Sequence, residues 1–222
     1  MKKKQDEKLE NYKEFSAEQM KRHAKQFFLE MKNRRSVRDF SSRSVPREII
    51  ENCLRTAGTA PSGANKQPWY FVVVTHADLK KKIRHEAEKR EQEFYQRAAT
   101  KKWVQDLAPL GTNASKPFLE QAPYLIVIFA QRHSFDQTGK KQPHYYVTES
   151  VGIATGLLIA SLHHSGLVCL TYTPPKIGFL NPLLNRPQNE RPVMILVTGY
   201  PSKEVLVPAL TRKSLDRIAQ FV

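Results

Sequence analysis

No apolar stretch in this sequence reaches the roughly 18 residues that a bilayer-spanning helix needs. The longest candidate, Val151 to Ala160, is short and is broken by Gly152, Thr155 and Gly156. A secretory signal is missing too, because Lys2, Lys3 and Lys4 run into Gln5 and Asp6 and not into an apolar core. These absences lead us to expect a soluble, cytoplasmic protein with no membrane partner. Cysteine is scarce. Cys53 and Cys169 each sit in an apolar context, so two buried thiols are expected and not a disulfide, in keeping with a reducing compartment. The phosphate cradles G-x-G-x-x-G and G-x-x-x-x-G-K-[ST] do not occur, nor does a G-x-S-x-G elbow. The histidines have no H-E-x-x-H or Cys/His zinc spacing, and the adjoining His163 and His164 point to different faces of a helix, so no metal is expected. No histidine is paired with a Ser or Cys in a way that suggests a nucleophile. If the chain is an enzyme, a bound cofactor carries the chemistry.

Basic residues, by contrast, are plentiful. The 222 residues carry a formal net charge of +15, which attracts anions and raises nucleic acid as one class of partner. The charge is spread out, however: Lys2 to Lys4, Lys21, Arg22 and Lys25 near the start, then Lys80 to Lys82, Lys101, Lys102, Lys140 and Lys141. Without a single reading element, these are read as solvated faces, and no nucleic-acid partner is expected. A small phosphate ligand needs only a few of them.

Along the chain, residues 1–30 read as a charged helical arm with an interrupted apolar stripe of Phe15, Met20, Phe27, Phe28 and Met31, suited to packing on a body or on another subunit. From residue 31 to 222 the pattern is that of one domain. Val45-Pro46-Arg47-Glu48 opens a helix whose face is Ile49, Ile50, Cys53, Leu54 and Ala57 and which Gly58 can end. Buried strands are expected at Trp69–Thr75, Pro123–Phe129, Leu167–Thr173 and Val193–Thr198. Long helices are expected at 77–103 and 145–165, and Leu215 to Val222 is read as a terminal extension reaching another subunit. Strands alternating with helices predict a layered α/β or α+β domain with its sheet covered on both faces.

Two segments stand out chemically. Arg34, Arg35, Ser36 and Arg38 form a compact set of phosphate-matching donors, since the planar guanidinium fork gives paired, charge-assisted hydrogen bonds. The alternative is a solvated basic turn. The second segment, Thr59-Ala-Pro-Ser-Gly-Ala-Asn-Lys-Gln-Pro-Trp69, is an irregular loop between a helix and a buried strand. Gly63 there allows a ligand close to the backbone. Read by itself, the loop is a plain connection.

Taken together, R-R-S-V-R, a helix, then P-S-G-A-N-K-Q-P-W and a strand resemble the opening of the nitroreductase superfamily of flavoproteins. The resemblance continues through Gly199-Tyr200-Pro201 and Arg212. Glu91 and Tyr95, Trp103-Val104, Lys116, His144-Tyr145-Tyr146, Gly166-Leu167-Val168 and V-G-Y-P-S-K-E occur in an order and spacing similar to the iodotyrosine deiodinases of that superfamily. The resemblance implies an α+β nitroreductase-like fold, with a central mixed sheet covered by helices, in an intertwined homodimer whose FMN sites lie at the subunit interface. It implies that Arg34, Arg35, Ser36, Val37 and Arg38 contact FMN, that Pro61, Ser62 and Gly63 pass along it, and that Arg212 completes the phosphate site. Thr171, Tyr172 and Thr173 would lie near the flavin ring, with the catalytic Thr173 hydroxyl donating to flavin N5. The Ala64 amide would meet the phenolate of a halotyrosine, and Glu91, Tyr95 and Lys116 would bind its amino acid end. NADPH, NADH or a reductase would be the electron donor. Tyr172 departs from the family pattern, standing where a small residue is usual.

The substrate set also makes sense on physical grounds. A zwitterion offers one ammonium for Glu91 and one carboxylate for Lys116. Glu91 and Tyr95 share a helical face at i, i+4. The region 86–117 is polar with few core residues, as a lid ordered by ligand would be. The alternative within the same fold is an FMN-dependent nitroreductase or quinone reductase of broad range, which needs no zwitterion clamp.

Overall fold

The structure, a computed structural model, describes residues 7–97 and 99–222. Lys2, Lys3 and Lys4 of the expected arm and Ala98 of the expected lid lie outside the described residues. The chain divides into two units, Met1–Arg34 and Arg35–Val222.

The first unit is built on α1 (Ala17–Lys32). Ser16 starts it with a capping box: its hydroxyl accepts from the Gln19 N–H at 3.3 Å and the Gln19 side chain accepts from the Ser16 N–H at 3.0 Å. No residue of α1 is buried, and Phe27 and Phe28 are well over half exposed.

The second unit follows the order α2 (Arg47–Gly58), β1 (Trp69–Val74), α3 (Ala77–Arg97), α4 (Lys101–Leu107), α5 (Phe118–Gln121), β2 (Tyr124–Gln131), β3 (His133–Phe135), β4 (Lys141–Pro143), α6 (Val147–His164), β5 (Val168–Tyr172), α7 (Leu180–Leu183) and β6 (Glu190–Gly199). The four expected strands form one sheet in the order β1-β2-β6-β5, every neighbouring pair antiparallel. Its mixed character is confined to a parallel bridge between Ser36 and Cys169. The expected 77–103 helix is two helices, α3 and α4. The hairpin β3–β4 and the short helices α5 and α7 have no counterpart in the sequence expectations.

Strand β2 is the centre of the core. Leu125 through Phe129 are fully buried, because both faces of the sheet are covered. Tyr124, Ile126 and Ile128 face one cluster with α2 (Ile50, Cys53, Ala57) and α6 (Ala154, Leu158, Leu162). Leu125, Val127 and Phe129 face the other, with α3 (Ile83, Ala87), α5 (Phe118, Leu119) and Leu180. Pro192 fits into β6 at a bulge, where the register jumps from Ile128–Met194 to Phe129–Pro192. At the end of β6, a Cβ on Gly199 would fall 2.4 Å from Pro123 Cδ, so no larger residue fits. Cys53 and Cys169 are both buried and are not joined in a disulfide, as expected. Among the described residues no helix is long and apolar enough to cross a membrane.

Candidate active site

The arginine-bearing segment runs along the β5 edge of the sheet. Ser36 bridges Cys169 in parallel, and the Val37 N–H donates to the Cys169 carbonyl at 3.2 Å. Phe40 then bridges Pro201, and the Ser41 N–H donates to the Tyr200 carbonyl at 2.9 Å. Buried Val37 and Phe40 anchor the segment in the core. A parallel register that begins at Ser36–Cys169 carries Arg38 alongside Thr171, two residues on in each strand. Both line one cavity of about 380 Å³.

Across that cavity stand Glu91, Phe94 and Tyr95 of α3, then Trp103, Thr112 and Lys116. Glu91 and Lys116 are 6% and 2% exposed, so a carboxylate and an ammonium are both buried here. Lys116 Nζ lies 3.6 Å from Glu91 Oε1, donates to Thr112 Oγ1 at 3.2 Å and donates to the Asn113 carbonyl. The Tyr172 hydroxyl donates to Glu91 Oε1 at 3.0 Å. Burial lowers the Lys116 pKa, and the charge of Glu91 offsets part of that. Burial, and then the negative charge of Glu91, raise both Tyr172 and Tyr95, so both phenols stay protonated. Arg38 is lowered by burial, and no carboxylate among the described residues compensates it. Two cations, Arg38 and Lys116, thus face the cavity against one carboxylate, Glu91. A half-buried guanidinium without a counter-ion is suited to an anion supplied from outside, and a cofactor phosphate fits that requirement.

The stretch that bridges the cavity differs from its anchors. From Gln92 to Ser115 no described residue is buried, and α4 contributes nothing to the core. The stretch is tied at its far end, where the Lys116 N–H donates to Glu88 Oε1 at 2.6 Å while Arg84 Nε donates to the same oxygen at 2.8 Å.

The loop 61–67 is strained. Ala64, Asn65 and Gln67 have φ of 49°, 51° and 46°, the left-handed region that non-glycine residues seldom adopt. Ser62 Oγ accepts from the Gln67 N–H at 2.9 Å and holds the loop closed. The close neighbour that accounts for Gly63 is the Tyr145–Tyr146 segment: a Cβ there would lie 2.8 Å from Tyr146 Cδ2 and 2.9 Å from the Tyr145 carbonyl oxygen.

Arg38, Thr171, Tyr172, Thr173, Glu91, Tyr95 and Lys116 are therefore brought to one cavity. Ser36 and Val37 fix the segment that carries Arg38. Pro61, Ser62, Gly63 and Ala64 do not line that cavity, and Arg212 is exposed in the C-terminal stretch. Arg35 Nη2 donates to the Pro208 carbonyl, and Arg34 belongs to the first unit. Sequence reasoning missed Phe94, Thr112 and Phe118. Phe94 was within reach, because it stands at i+3 from Glu91 on the same helical face; Thr112 and Phe118 carry no periodic signal.

The nitroreductase family model matches residues 31–200. The iodotyrosine deiodinase of Haliscomenobacter hydrossis is 49% identical over 209 residues, covering 94% of this chain and 93% of that one. Human iodotyrosine deiodinase 1 is 48% identical, covering 92% and 71%. Among solved structures, an oxidized iodotyrosine deiodinase bound to FMN and 3-iodo-L-tyrosine is similar with a TM-score of 0.74 at 31% identity, over 88% of this chain and 100% of that one.

Proposed function

The chain belongs to the nitroreductase family and, within it, to the iodotyrosine deiodinases, and from that premise we propose that it removes halide reductively from halotyrosines with FMN as cofactor. When bound and reduced, FMN would supply the two electrons that, with one proton, replace the carbon–iodine bond by carbon–hydrogen and release iodide. The observation that carries the reading to this substrate is the buried Glu91–Lys116 pair facing Arg38 and Thr171 across a single cavity. An opposed carboxylate and ammonium, both taken out of water, match the two charges of an amino acid. Their mutual 3.6 Å contact is loose enough to be exchanged for a ligand's ammonium at Glu91 and carboxylate at Lys116.

The proposed cofactor residues are Arg34, Arg35, Ser36, Val37, Arg38, Pro61, Ser62, Gly63, Thr171, Tyr172, Thr173 and Arg212. The uncompensated Arg38 supports a phosphate beside it. Exposed Thr173, just past β5, is the proposed catalytic hydroxyl donor to the flavin. Ala64 contributes its amide to the phenolate, and Tyr95 its phenol and ring to the substrate. Closing of the lid, 86–117, over the ligand would exclude water from the reacting bond.

A homodimer is part of the proposal, the second subunit completing the cofactor site. Its support is the apolar surface left open: Leu206, Leu215, Ile218 and Phe221 in the C-terminal stretch are each more than 60% exposed. On α6, a Cβ at Gly152 or Gly156 meets nothing within 4 Å, which leaves room for a close neighbour. The electron source is proposed to be NAD(P)H, directly or through a reductase, in the cytoplasm.

The deciding experiment is iodide release from 3-iodotyrosine by the FMN-loaded, chemically reduced protein. One iodide per reduced flavin is expected. Fast turnover of nitroarenes with no binding of iodotyrosine would replace this reading by the broad-range nitroreductase.

A further inference from the structure

The hydroxyl of Tyr172, which donates to Glu91 in the cavity, has no role in the reaction proposed above. Within β5, Leu170 and Tyr172 turn into the core cluster that also holds Phe118 and Ile195. The ring sits edge-on to Phe118 at 5.5 Å between centroids, and Lys116 Nζ lies 5.7 Å from its centroid. From there its hydroxyl reaches Glu91 Oε1 at 3.0 Å, in buried surroundings. The bond therefore ties the last residue of a sheet strand, just before Thr173, to the last buried residue of α3.

We propose that Tyr172 is a positioning residue for amino acid recognition: its phenol fixes the Glu91 carboxylate so that this enzyme selects halogenated aromatics bearing an α-ammonium group. The inference rests on the halotyrosine reading above. Its logic lies in the geometry of one carboxylate. The Tyr172 bond and the Lys116 contact both fall on Oε1, so an incoming ammonium is met through Oε2. A carboxylate clamped at one oxygen has lost its rotational freedom before the ligand arrives, which spares that loss on binding. α3 beyond Glu91 contributes no buried residue, so without Tyr172 the orientation of Glu91 would depend on Lys116, the very group that the ligand's carboxylate draws away.

The test compares wild type, Tyr172→Phe, Glu91→Gln and the double variant, all FMN-loaded, by quenching of flavin fluorescence with 3-iodotyrosine and with 2-iodophenol. Tyr172→Phe keeps the ring against Phe118 and removes one oxygen. The expected result is a loss of about tenfold in the affinity ratio of iodotyrosine to iodophenol, the size of a charge-assisted hydrogen bond. The double variant is expected to match Glu91→Gln alone, because the phenol acts through the carboxylate. An unchanged ratio, tighter iodotyrosine binding in Tyr172→Phe, or additive losses in the double variant would overturn the proposal while leaving the halotyrosine reading intact. Wild type that binds no iodotyrosine would overturn both.

Discussion

Strand β2 and the stretch from Gln92 to Ser115 are built on opposite terms. Five consecutive residues of β2, Leu125 through Phe129, are fully buried between two helical layers. In the second stretch no described residue is buried. The cavity lies between the loose stretch and the β5 edge of the sheet: Arg38 and Thr171 on the sheet side, Phe94, Tyr95 and Trp103 on the loose side, and buried Glu91 and Lys116 at the two ends of the loose stretch. The contrast teaches that stability and substrate selection are assigned to different parts of the chain. A region with few buried contacts opens at low free-energy cost and can close on a ligand. Fixing its two ends by buried charges lets it do so without losing its register.

The sharpest break of this contrast is Phe129→Ala in the centre of β2. The ring is fully buried, so the variant should lose about 3–5 kcal/mol of stability, read as a lower urea midpoint with little change in m-value. A loss below 1 kcal/mol would mean that the sheet is not the stabilising region. An intermediate effect belongs to the anchor of the loose stretch. Burial pushes the Glu88 carboxyl up, but the Lys116 N–H and Arg84 outweigh it and hold its pKa below the ordinary value. A depressed folded pKa stabilises above the unfolded pKa, and the contribution is lost as pH falls through the folded one. Glu88→Gln should therefore cost about 1 kcal/mol at pH 6, and its difference from wild type should shrink between pH 5 and pH 3; a pH-independent difference would contradict the assigned role. The smallest change in stability is expected at Trp103, which is 53% exposed on α4. Trp103→Ala should move stability by less than about 0.5 kcal/mol yet weaken iodotyrosine binding several-fold. A variant that unfolds early would show that the stretch is structural and not a lid.

The missed elements show where local signals stop. The hairpin β3–β4 is short, with no buried residue to create an alternation. It is held instead by Asp136, whose Oδ1 accepts from the N–H groups of Thr138 and Lys140 at 2.9 and 3.0 Å. Such a turn uses polar atoms, which leave no hydrophobic period to read. The break between α3 and α4 went unread because charged residues fill both helices alike. Gly63 offers room for a ligand on sequence grounds, and the Tyr145–Tyr146 segment that also approaches it is remote in sequence, so local signals do not show it.

The amino-acid sequence by itself determined the four strands, through runs of β-branched and aromatic residues, and the faces of α2 and α6, through helical spacing. It also supplied the arginine run and the shared face of Glu91 and Tyr95, because these depend on repeats of two or 3.6 residues within one element. The tertiary structure alone decided the antiparallel order β1-β2-β6-β5, the parallel seat of Ser36 on Cys169 that sets Arg38 beside Thr171, and the convergence of Lys116 and Tyr172 on Glu91. Those contacts join segments far apart in the chain. They follow from which apolar faces can be buried together, and no local period encodes that choice.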